Sequence, residues 1–309
     1  MAGPPNAPSI ASQMSRTGAL GAIKRRPASN GKNKREMRGE AMEKFPAEFA
    51  EMLSAPGKAM LRQGFADTAR FAGRTATQDA GSGQTPLAFL PGMLSKTWAM
   101  QARRLLDATM PAHVRRIESR IPPETITGMR RNYTEQLPKS MRIQTAYFDA
   151  PRSAAYRAAA EIGLLQMLRS ESLALFAERI TGLPLERRRG VQLILYEPGD
   201  YSGPHNDHHP ENAHAREGFV DLHISLCNDS VQDQFLVCEE HGHLTGVYPA
   251  ASDGSVALYR LPFWHYTTPL RAKPGAEHKA RRWLLLATFD LRQPSQRDHR
   301  ALAGRSRSA

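Results

Sequence analysis

The sequence predicts an α+β protein in which a mainly helical region precedes a domain of short β-strands. Three observations support this class. Apolar residues recur at helical spacing in the first half of the chain, short apolar runs separated by turn residues begin at Val191, and both ends are basic and poor in large apolar residues. We therefore expect disordered tails at 1–41 and 292–309, a helical supporting region at 42–185 and a strand domain at 186–291.

The tails carry nearly all of the net charge. Residues 1–38 hold eight Lys or Arg and one Glu, and residues 292–309 hold five Arg and one Asp, so they contribute +7 and +4 of the net charge of +12. The rest of the chain is nearly neutral, which argues against nucleic acid as a partner of the folded part. Binding of nucleic acid through the tails is left as an alternative.

The composition also limits the location of the protein. The chain has no run of 18 or more apolar residues, so no membrane span is expected. Two cysteines and no secretory signal predict a cytoplasmic protein without a disulfide framework. The acid-poor, Arg-containing N-terminus leaves an organelle transit peptide as an alternative.

Residues 42–185 contain most of the predicted helices. Helical spacing predicts helices at Met42–Leu53, Lys58–Phe71, Met93–Ser119, Ala154–Met167 and Glu171–Ile180. The last helix is followed by Thr181-Gly182, and glycine is favoured just beyond a helix C-terminus. Gly73–Gln84 has the composition of a linker, and Arg142–Phe148 is strand-like.

The first strand of the second region leads into a candidate metal site. Val191–Tyr196 is apolar, a Pro-Gly turn follows, and the next segment contains His205-Asn206-Asp207. In an extended segment, residues i and i+2 point to the same side, so His205 and Asp207 can share a metal while Asn206 points elsewhere. Two imidazoles and one carboxylate hold one face of an iron ion and leave the other face open for O₂.

A third ligand and an anion-binding residue are available further along the chain. His265 ends Gly254–His265, an alternating segment rich in strand-favouring residues. Arg281 and Arg282 then precede the apolar run Trp283–Phe289. A planar guanidinium at this place suits a carboxylate ligand.

At these residues the chain resembles the Fe(II)- and 2-oxoglutarate-dependent dioxygenases, and among them the prolyl-4-hydroxylase-like branch. The resemblance covers roughly 177–291, and its opening motif matches Tyr196, Gly199, His205 and Asp207. Phe219–Asp229 is similar to the family strand that ends in an Asn-Asp turn. The family implies a double-stranded β-helix (jelly-roll) barrel, with the preceding helices packed on its outer face.

The resemblance also implies roles for single residues. His205, Asp207 and His265 would bind Fe(II), and Arg282 would bind the distal carboxylate of 2-oxoglutarate, with Arg281 as the rival one register position away. Tyr196 would hydrogen-bond the same carboxylate. The implied co-substrates are 2-oxoglutarate and O₂, ascorbate is a candidate reductant, and the products are succinate, CO₂ and a hydroxylated substrate.

Several neighbouring residues leave alternatives open. His208, His209, His214 and His223 follow the motif closely and are rival imidazoles, although His223 reads as a core residue. Cys238, His241 and His243 have zinc-ligand character, but without a fourth ligand nearby they fit a polar hairpin turn between two strands better.

Related activities are distinguished by two positions. Asp207 argues against the halogenase variants of the family, which lack this carboxylate. The nucleic-acid demethylases carry a second arginine six residues beyond the first, where this chain has Thr288.

The substrate is left open between a protein or peptide side chain and a small molecule. A non-catalytic jelly-roll sensor or scaffold that binds metal or an anionic ligand is the alternative to an enzyme. The sequence does not specify the oligomeric state.

Overall fold

The structure is a computed structural model, and it describes residues 42–71, 86–119, 140–187, 190–207, 218–240 and 243–292. These residues do not include the predicted tail 1–41, the predicted linker Gly73–Gln84, residues 293–309 of the second predicted tail, or residues 208–217. The rival histidines His208, His209 and His214 therefore lie outside the described residues, as does His241 of the alternative zinc site. No helix among the described residues is both long and apolar enough to cross a membrane.

Six α-helices of the described residues precede the main strands. They are α1 (Phe49–Met52), α2 (Ala55–Gln63), α3 (Lys96–Thr109), α4 (Ala154–Glu161), α5 (Leu164–Leu168) and α6 (Glu171–Thr181). Four of them begin after a serine whose side chain accepts a hydrogen bond from a backbone N–H in the first turn, namely Ser54, Ser95, Ser153 and Ser170. Such caps satisfy N–H groups that have no partner within the helix.

Four predicted helices are shorter than the sequence pattern suggests. The helix predicted at Met42–Leu53 is limited to α1, because Pro46 disfavours helical backbone at the residue before it. The helix predicted at Lys58–Phe71 ends with α2 at Gln63, before Gly64 with φ +80°. The helix predicted at Met93–Ser119 ends at Thr109, because Pro111 has no N–H to continue the ladder, and the segment after it is a strand. The helix predicted at Ala154–Met167 is interrupted at Gly163, which has φ +74°. A Cβ at this position would lie 2.9 Å from the carbonyl oxygen of Phe45, so both the backbone and the packing favour glycine.

Thirteen strands are found among the described residues. They are β1 (Leu87–Leu90), β2 (Arg115–Ser119), β3 (Met141–Tyr147), β4 (Val191–Tyr196), β5 (Tyr201–His205), β6 (Phe219–Cys227), β7 (Val231–Asp233), β8 (Leu236–Glu240), β9 (His243–Tyr248), β10 (Ser255–Leu261), β11 (Trp264–Thr267), β12 (Arg271–Ala272) and β13 (Arg282–Asp290). The pairs that form the main sheet are all antiparallel.

The strand order confirms the predicted jelly-roll fold. One face of the barrel has the order β10-β6-β13-β4, and the other has the order β5-β11-β8-β9. Successive strands along the chain therefore cross between two antiparallel faces, which is the double-stranded β-helix arrangement. Strand β3 pairs with both β4 and β5 and joins the two faces.

The region before the barrel contributes strands as well as helices. Strand β1 extends the first face beside β10, and β2 pairs with β3. The sequence pattern predicts β3 but not β1 or β2. A four-residue apolar run such as β1 cannot be assigned from periodicity alone.

The helices pack on the outer face of the first sheet. Phe49 of α1, Leu106 of α3 and Phe176 of α6 share one buried cluster with Leu193 of β4 and Leu285 of β13. The alternate residues of β4 and β13 face the barrel interior, where Ile194, Tyr196, Arg282 and Leu284 are buried and Gln192, Leu286 and Thr288 are partly buried. These strands are covered on both faces, which explains their nearly continuous apolar sequences.

Candidate metal centre and its cavity

Three side chains converge at the mouth of the barrel. The Nε2 atoms of His205 and His265 lie 3.3 and 3.5 Å from Oδ2 of Asp207. Among the described residues, these three form the one group of His, Cys, Asp or Glu whose ligand atoms lie within 4.8 Å of one another. The sequence prediction of this triad therefore corresponds to a close cluster, with the donor set of a 2-His-1-carboxylate iron site.

Both imidazoles are oriented by their own backbone. Nδ1 of His205 donates to the carbonyl oxygen of Gly203 at 2.6 Å, and Nδ1 of His265 donates to that of Phe263 at 2.9 Å. With the proton on Nδ1, each ring presents an unprotonated Nε2 to the centre of the cluster. This is the usual outer-shell support of a metal-binding histidine.

The ligands are positioned by strand pairing and one unusual backbone conformation. His205 on β5 lies directly opposite His265 on β11. Strand β5 ends at His205, and Asp207 has φ +52°, the one positive value of a non-glycine residue in the described chain. Asp207 thus reaches the site through a left-handed turn, which aspartate tolerates better than most residues, and not through the strand alternation expected from the sequence.

The turn before β5 is held by a buried carboxylate. Oδ2 of Asp200 accepts the backbone N–H of Glu197 at 2.9 Å, while Oδ1 lies 3.0 Å from Nη2 of Arg116 and 3.2 Å from Nε of Arg142. These contacts join the β4–β5 turn to β2 and β3. The N-terminal strands therefore help to fix the start of the strand that carries His205.

The triad opens into a cavity of about 540 Å³ inside the barrel. Its wall includes inward-facing residues of β4, β6, β10 and β13. One of those on β13 is Arg282. Arg282 is the one Lys or Arg among the lining residues that the structure describes. The cavity thus places a cationic side chain and the candidate metal ligands in one enclosed space.

Arg282 is buried, and the part of the chain that the structure describes gives it no acidic partner. Arg282 is 3% exposed, its Nε donates to Oγ of Ser225 and its Nη1 donates to Oε1 of Gln234, both at 2.9 Å. No described carboxylate forms an ion pair with it. Burial lowers the pKa of Arg282, yet an arginine remains charged in proteins, so its positive charge is uncompensated by the described residues.

The neighbouring arginine faces away from the cavity. Arg281 is half-buried, and its guanidinium lies 3.4 Å from Glu197 and 4.0 Å from Asp107. Alternation along β13 turns Arg282, Leu284 and Leu286 toward the cavity. The geometry thus distinguishes Arg282, which faces the cavity, from Arg281, which does not. The sequence alone did not separate these two residues.

Tyr196 lies beside Arg282. The two residues are directly paired between β4 and β13, and the guanidinium carbon is 5.2 Å from the centre of the ring. Burial raises the pKa of Tyr196, which keeps its hydroxyl protonated as a hydrogen-bond donor. Tyr196 and Arg282 together form one polar end of the cavity.

Several polar residues around the site have no recognisable signal in the sequence, and His223, which reads as a core residue there, lines the cavity. Ser225 and Gln234 hold Arg282, and Asp221 accepts a hydrogen bond from Oγ1 of Thr288 at 2.6 Å. His223 lies on the same cavity wall, and its imidazole contacts the Tyr259 hydroxyl at 2.8 to 2.9 Å. Alternation on β6 places Asp221, His223 and Ser225 on one face, but a nearly continuous apolar strand conceals which face is the interior.

The alternative zinc site is not assembled by the described residues. Cys238 and His243 lie on the predicted hairpin of β8 and β9, where Cys238 is buried and His243 is exposed. Burial raises the pKa of the Cys238 thiol to about 12, which disfavours the thiolate that a zinc ion requires.

No protein-family model and no curated protein matches the sequence. The chain is similar to the solved structure of a Pseudomonas putida prolyl-4-hydroxylase, with 13% identity and a TM-score of 0.42 over 68% of this chain and 94% of that chain. The chain is also similar to an oxidoreductase of the 2OG-Fe(II) oxygenase family from Burkholderia pseudomallei, with 14% identity and a TM-score of 0.42 over 66% of this chain and 85% of that chain. A third similar structure is a Trichoplax adhaerens prolyl hydroxylase in complex with a hypoxia inducible factor oxygen degradation domain peptide fragment. The identity is 10% and the TM-score is 0.44, over 76% of this chain and 91% of that chain. These identities and TM-scores are low. The fold is therefore assigned from the strand order, and the site is described from its own geometry.

Proposed function

We propose that the protein is an Fe(II)- and 2-oxoglutarate-dependent dioxygenase that hydroxylates a protein or peptide side chain or a small molecule. One observation carries the proposal: a 2-His-1-carboxylate cluster lines the same cavity as a buried arginine that has no acidic partner among the described residues. The first is the donor set of non-haem iron oxygenases, and the second requires an anionic ligand to balance its charge.

The residues suit the metal. His205, Asp207 and His265 would hold Fe(II) through two neutral imidazole nitrogens and one carboxylate oxygen. The Nδ1 hydrogen bonds to Gly203 and Phe263 fix the tautomer that leaves Nε2 for the metal. Both rings are already directed at the metal position, so little side-chain ordering is needed on binding.

The residues also suit a dicarboxylate. Ser225 and Gln234 use Nε and Nη1 of Arg282, and Nη2 has no partner among the described residues. Ser225 and Gln234 are neutral and do not balance the positive charge of Arg282. The guanidinium can therefore pair with the distal carboxylate of 2-oxoglutarate. Ile194 and Leu284, which also line the cavity, would cover the methylene carbons and exclude water.

Bound iron and 2-oxoglutarate would supply the oxidation, in which O₂ converts the 2-oxo acid into succinate and CO₂ and hydroxylates a C–H bond. The chain would hold the iron ion and the oxo acid in place and would shield the reaction from water. Tyr196 supplies a protonated hydroxyl near the same carboxylate as Arg282.

Succinate formation tests the activity. The iron-loaded protein should convert 2-oxoglutarate to succinate, slowly without a substrate, and Asp207→Asn should abolish this conversion while leaving the protein folded. Asn tolerates the left-handed conformation of position 207, so the variant removes the charge with little backbone strain. If wild-type protein binds iron and the oxo acid but never forms succinate, the binding-protein alternative replaces this proposal.

A further inference from the structure

A second polar cluster lines the cavity apart from Arg282. It consists of Asp221 and His223 on β6, Tyr259 on β10 and Thr288 on β13. Asp221 and Thr288 are directly opposite each other between β6 and β13, and Asp221 and Tyr259 are directly opposite between β6 and β10. Their side chains therefore share one row of the inner face.

Within this polar cluster, Asp221 and Thr288 lie at the other end of the inner face from Arg282, and Tyr259 lies beside a metal ligand. Thr288 is six positions beyond Arg282 along β13, which is about 20 Å of extended strand. The Tyr259 ring lies 5.3 Å from the His265 ring and 4.7 Å from the His223 ring. An oxo acid anchored at Arg282 would leave the space beside this polar cluster for the substrate.

The polar cluster contains one buried carboxyl group. Asp221 is 6% exposed, and its Oδ1 accepts the hydrogen bond from Thr288. Burial raises the pKa of Tyr259 well above its usual value, so its hydroxyl stays neutral. With Asp207 assigned to the metal, Asp221 is the carboxylate among the described lining residues that can face a substrate.

The surrounding wall fits the carbon chain of such a substrate. Phe89, Phe219, Ala257 and Leu286 line the same part of the cavity as Asp221. An apolar wall that ends in one carboxylate suits a side chain with methylene groups and a cationic tip. Aromatic rings nearby add favourable contacts with a guanidinium or ammonium group.

We propose that Asp221 recognises a substrate by a guanidinium or amine nitrogen and thereby places a neighbouring carbon atom at the metal. This inference rests on the proposed function and narrows its substrate class to cationic side chains or amines. A prolyl residue within a peptide has no N–H to donate to Asp221 and no positive charge, so it is not expected to bind here.

Binding of matched ligands tests this inference. The complex of the protein with Fe(II) and 2-oxoglutarate is titrated calorimetrically without oxygen. The probes are Nα-acetylarginine amide against Nα-acetylcitrulline amide, which replaces the guanidinium by a neutral urea, and Nα-acetyllysine amide against its Nα,Nε-diacetyl form. Because the α-amine is blocked, the side chain carries the one positive charge of each cationic probe. We expect the cationic member of at least one pair to bind about tenfold more tightly or better, because a charge-assisted hydrogen bond is stronger than a neutral one.

Two variants connect the preference to Asp221. Asp221→Asn should remove the preference for the cation while leaving the affinities for Fe(II) and 2-oxoglutarate within about twofold of wild type. Asp233→Asn serves as the control, because Asp233 pairs with Arg271 away from the cavity. The preferred cation should also accelerate succinate formation in wild-type protein, and N-acetylprolinamide should not.

The inference is overturned if neither cation is preferred by wild-type protein, or if Asp221→Asn keeps the preference. It is also overturned if Asp221→Asn loses Fe(II), since Asp221 would then support the metal. The comparison of ligands on wild-type protein does not depend on the variant being folded. Failure of wild-type protein to bind Fe(II) and 2-oxoglutarate would instead contradict the proposed function itself.

Discussion

Gln234 accepts a hydrogen bond from Arg282, with 2.9 Å between Oε1 and Nη1. The amide nitrogen of Gln234 donates to the backbone carbonyl oxygens of Asp200 and Thr268 at 3.3 and 3.0 Å. These two donations fix the orientation of the amide, so its oxygen must face the arginine. Gln234 is 0% exposed and connects Arg282 to the turn before β5.

Gln234→Glu should weaken the binding of 2-oxoglutarate by about tenfold or more. The carboxylate would pair with Arg282 and compete with the ligand for its charge. Anaerobic calorimetry measures the affinity, and the affinity for Fe(II), whose ligands are elsewhere, should be unchanged. Equal affinity for 2-oxoglutarate in the folded variant and the wild type would contradict the role assigned to Arg282.

His265→Ala should reduce the affinity for Fe(II) by more than about 100-fold. Loss of an outer-shell partner alone costs roughly 10–100-fold, and a direct ligand contributes more. Competition with a metal chelator measures the affinity. His243→Ala is a matched control, because His243 is exposed on β9. An unchanged affinity in His265→Ala would remove this residue from the metal site.

Neither cysteine should react with iodoacetamide in the native protein near neutral pH. Burial raises the pKa of Cys227 to about 11 and that of Cys238 to about 12, and only the thiolate is an efficient nucleophile. Mass spectrometry should find both residues unmodified in native protein and both alkylated after unfolding. Rapid modification of either thiol in the folded protein would show that it is not buried as described.

Phe176→Ala should lower the free energy of unfolding by about 3–5 kcal/mol. Phe176 of α6 is fully buried and packs edge-to-face on Phe49 of α1, with ring centres 5.5 Å apart, in the cluster shared with the barrel. Phe235→Ala is the control, because Phe235 is 36% exposed. Urea unfolding should show one transition in both variants. A separate early transition for the helices in Phe176→Ala would mean that they do not fold cooperatively with the barrel.

The fold was predictable where local patterns are strong. Strands β4, β6, β10 and β13 are apolar runs bounded by turn residues, and α6 ends at Gly182 as expected. Strands β1 and β2 were not predicted, because they are stabilised by pairing with β10 and β3, which are distant in sequence. Such pairing overrides weak local preferences.

The residues of the candidate triad could be selected from the sequence, but the residues that surround and support the triad could not. His205, Asp207 and His265 have a recognisable spacing and strand context, whereas Ser225, Gln234 and Asp221 carry no motif. Their importance comes from the direction of their side chains into the cavity, which depends on strand register. For the same reason, the sequence left Arg281 and Arg282 as rivals.

The most direct test of the central claim is an anaerobic titration of the metal-free protein with Fe(II) and 2-oxoglutarate, monitored by the visible charge-transfer absorption of the iron chelate. We expect the band in wild-type protein and in Arg281→Ala, its loss in His205→Ala, and a much weaker affinity for the oxo acid in Arg282→Ala. Arg281 is the matched control because it is adjacent in sequence but pairs with Glu197 away from the cavity. No band in folded wild-type protein, or equal binding by the two arginine variants, would contradict the account.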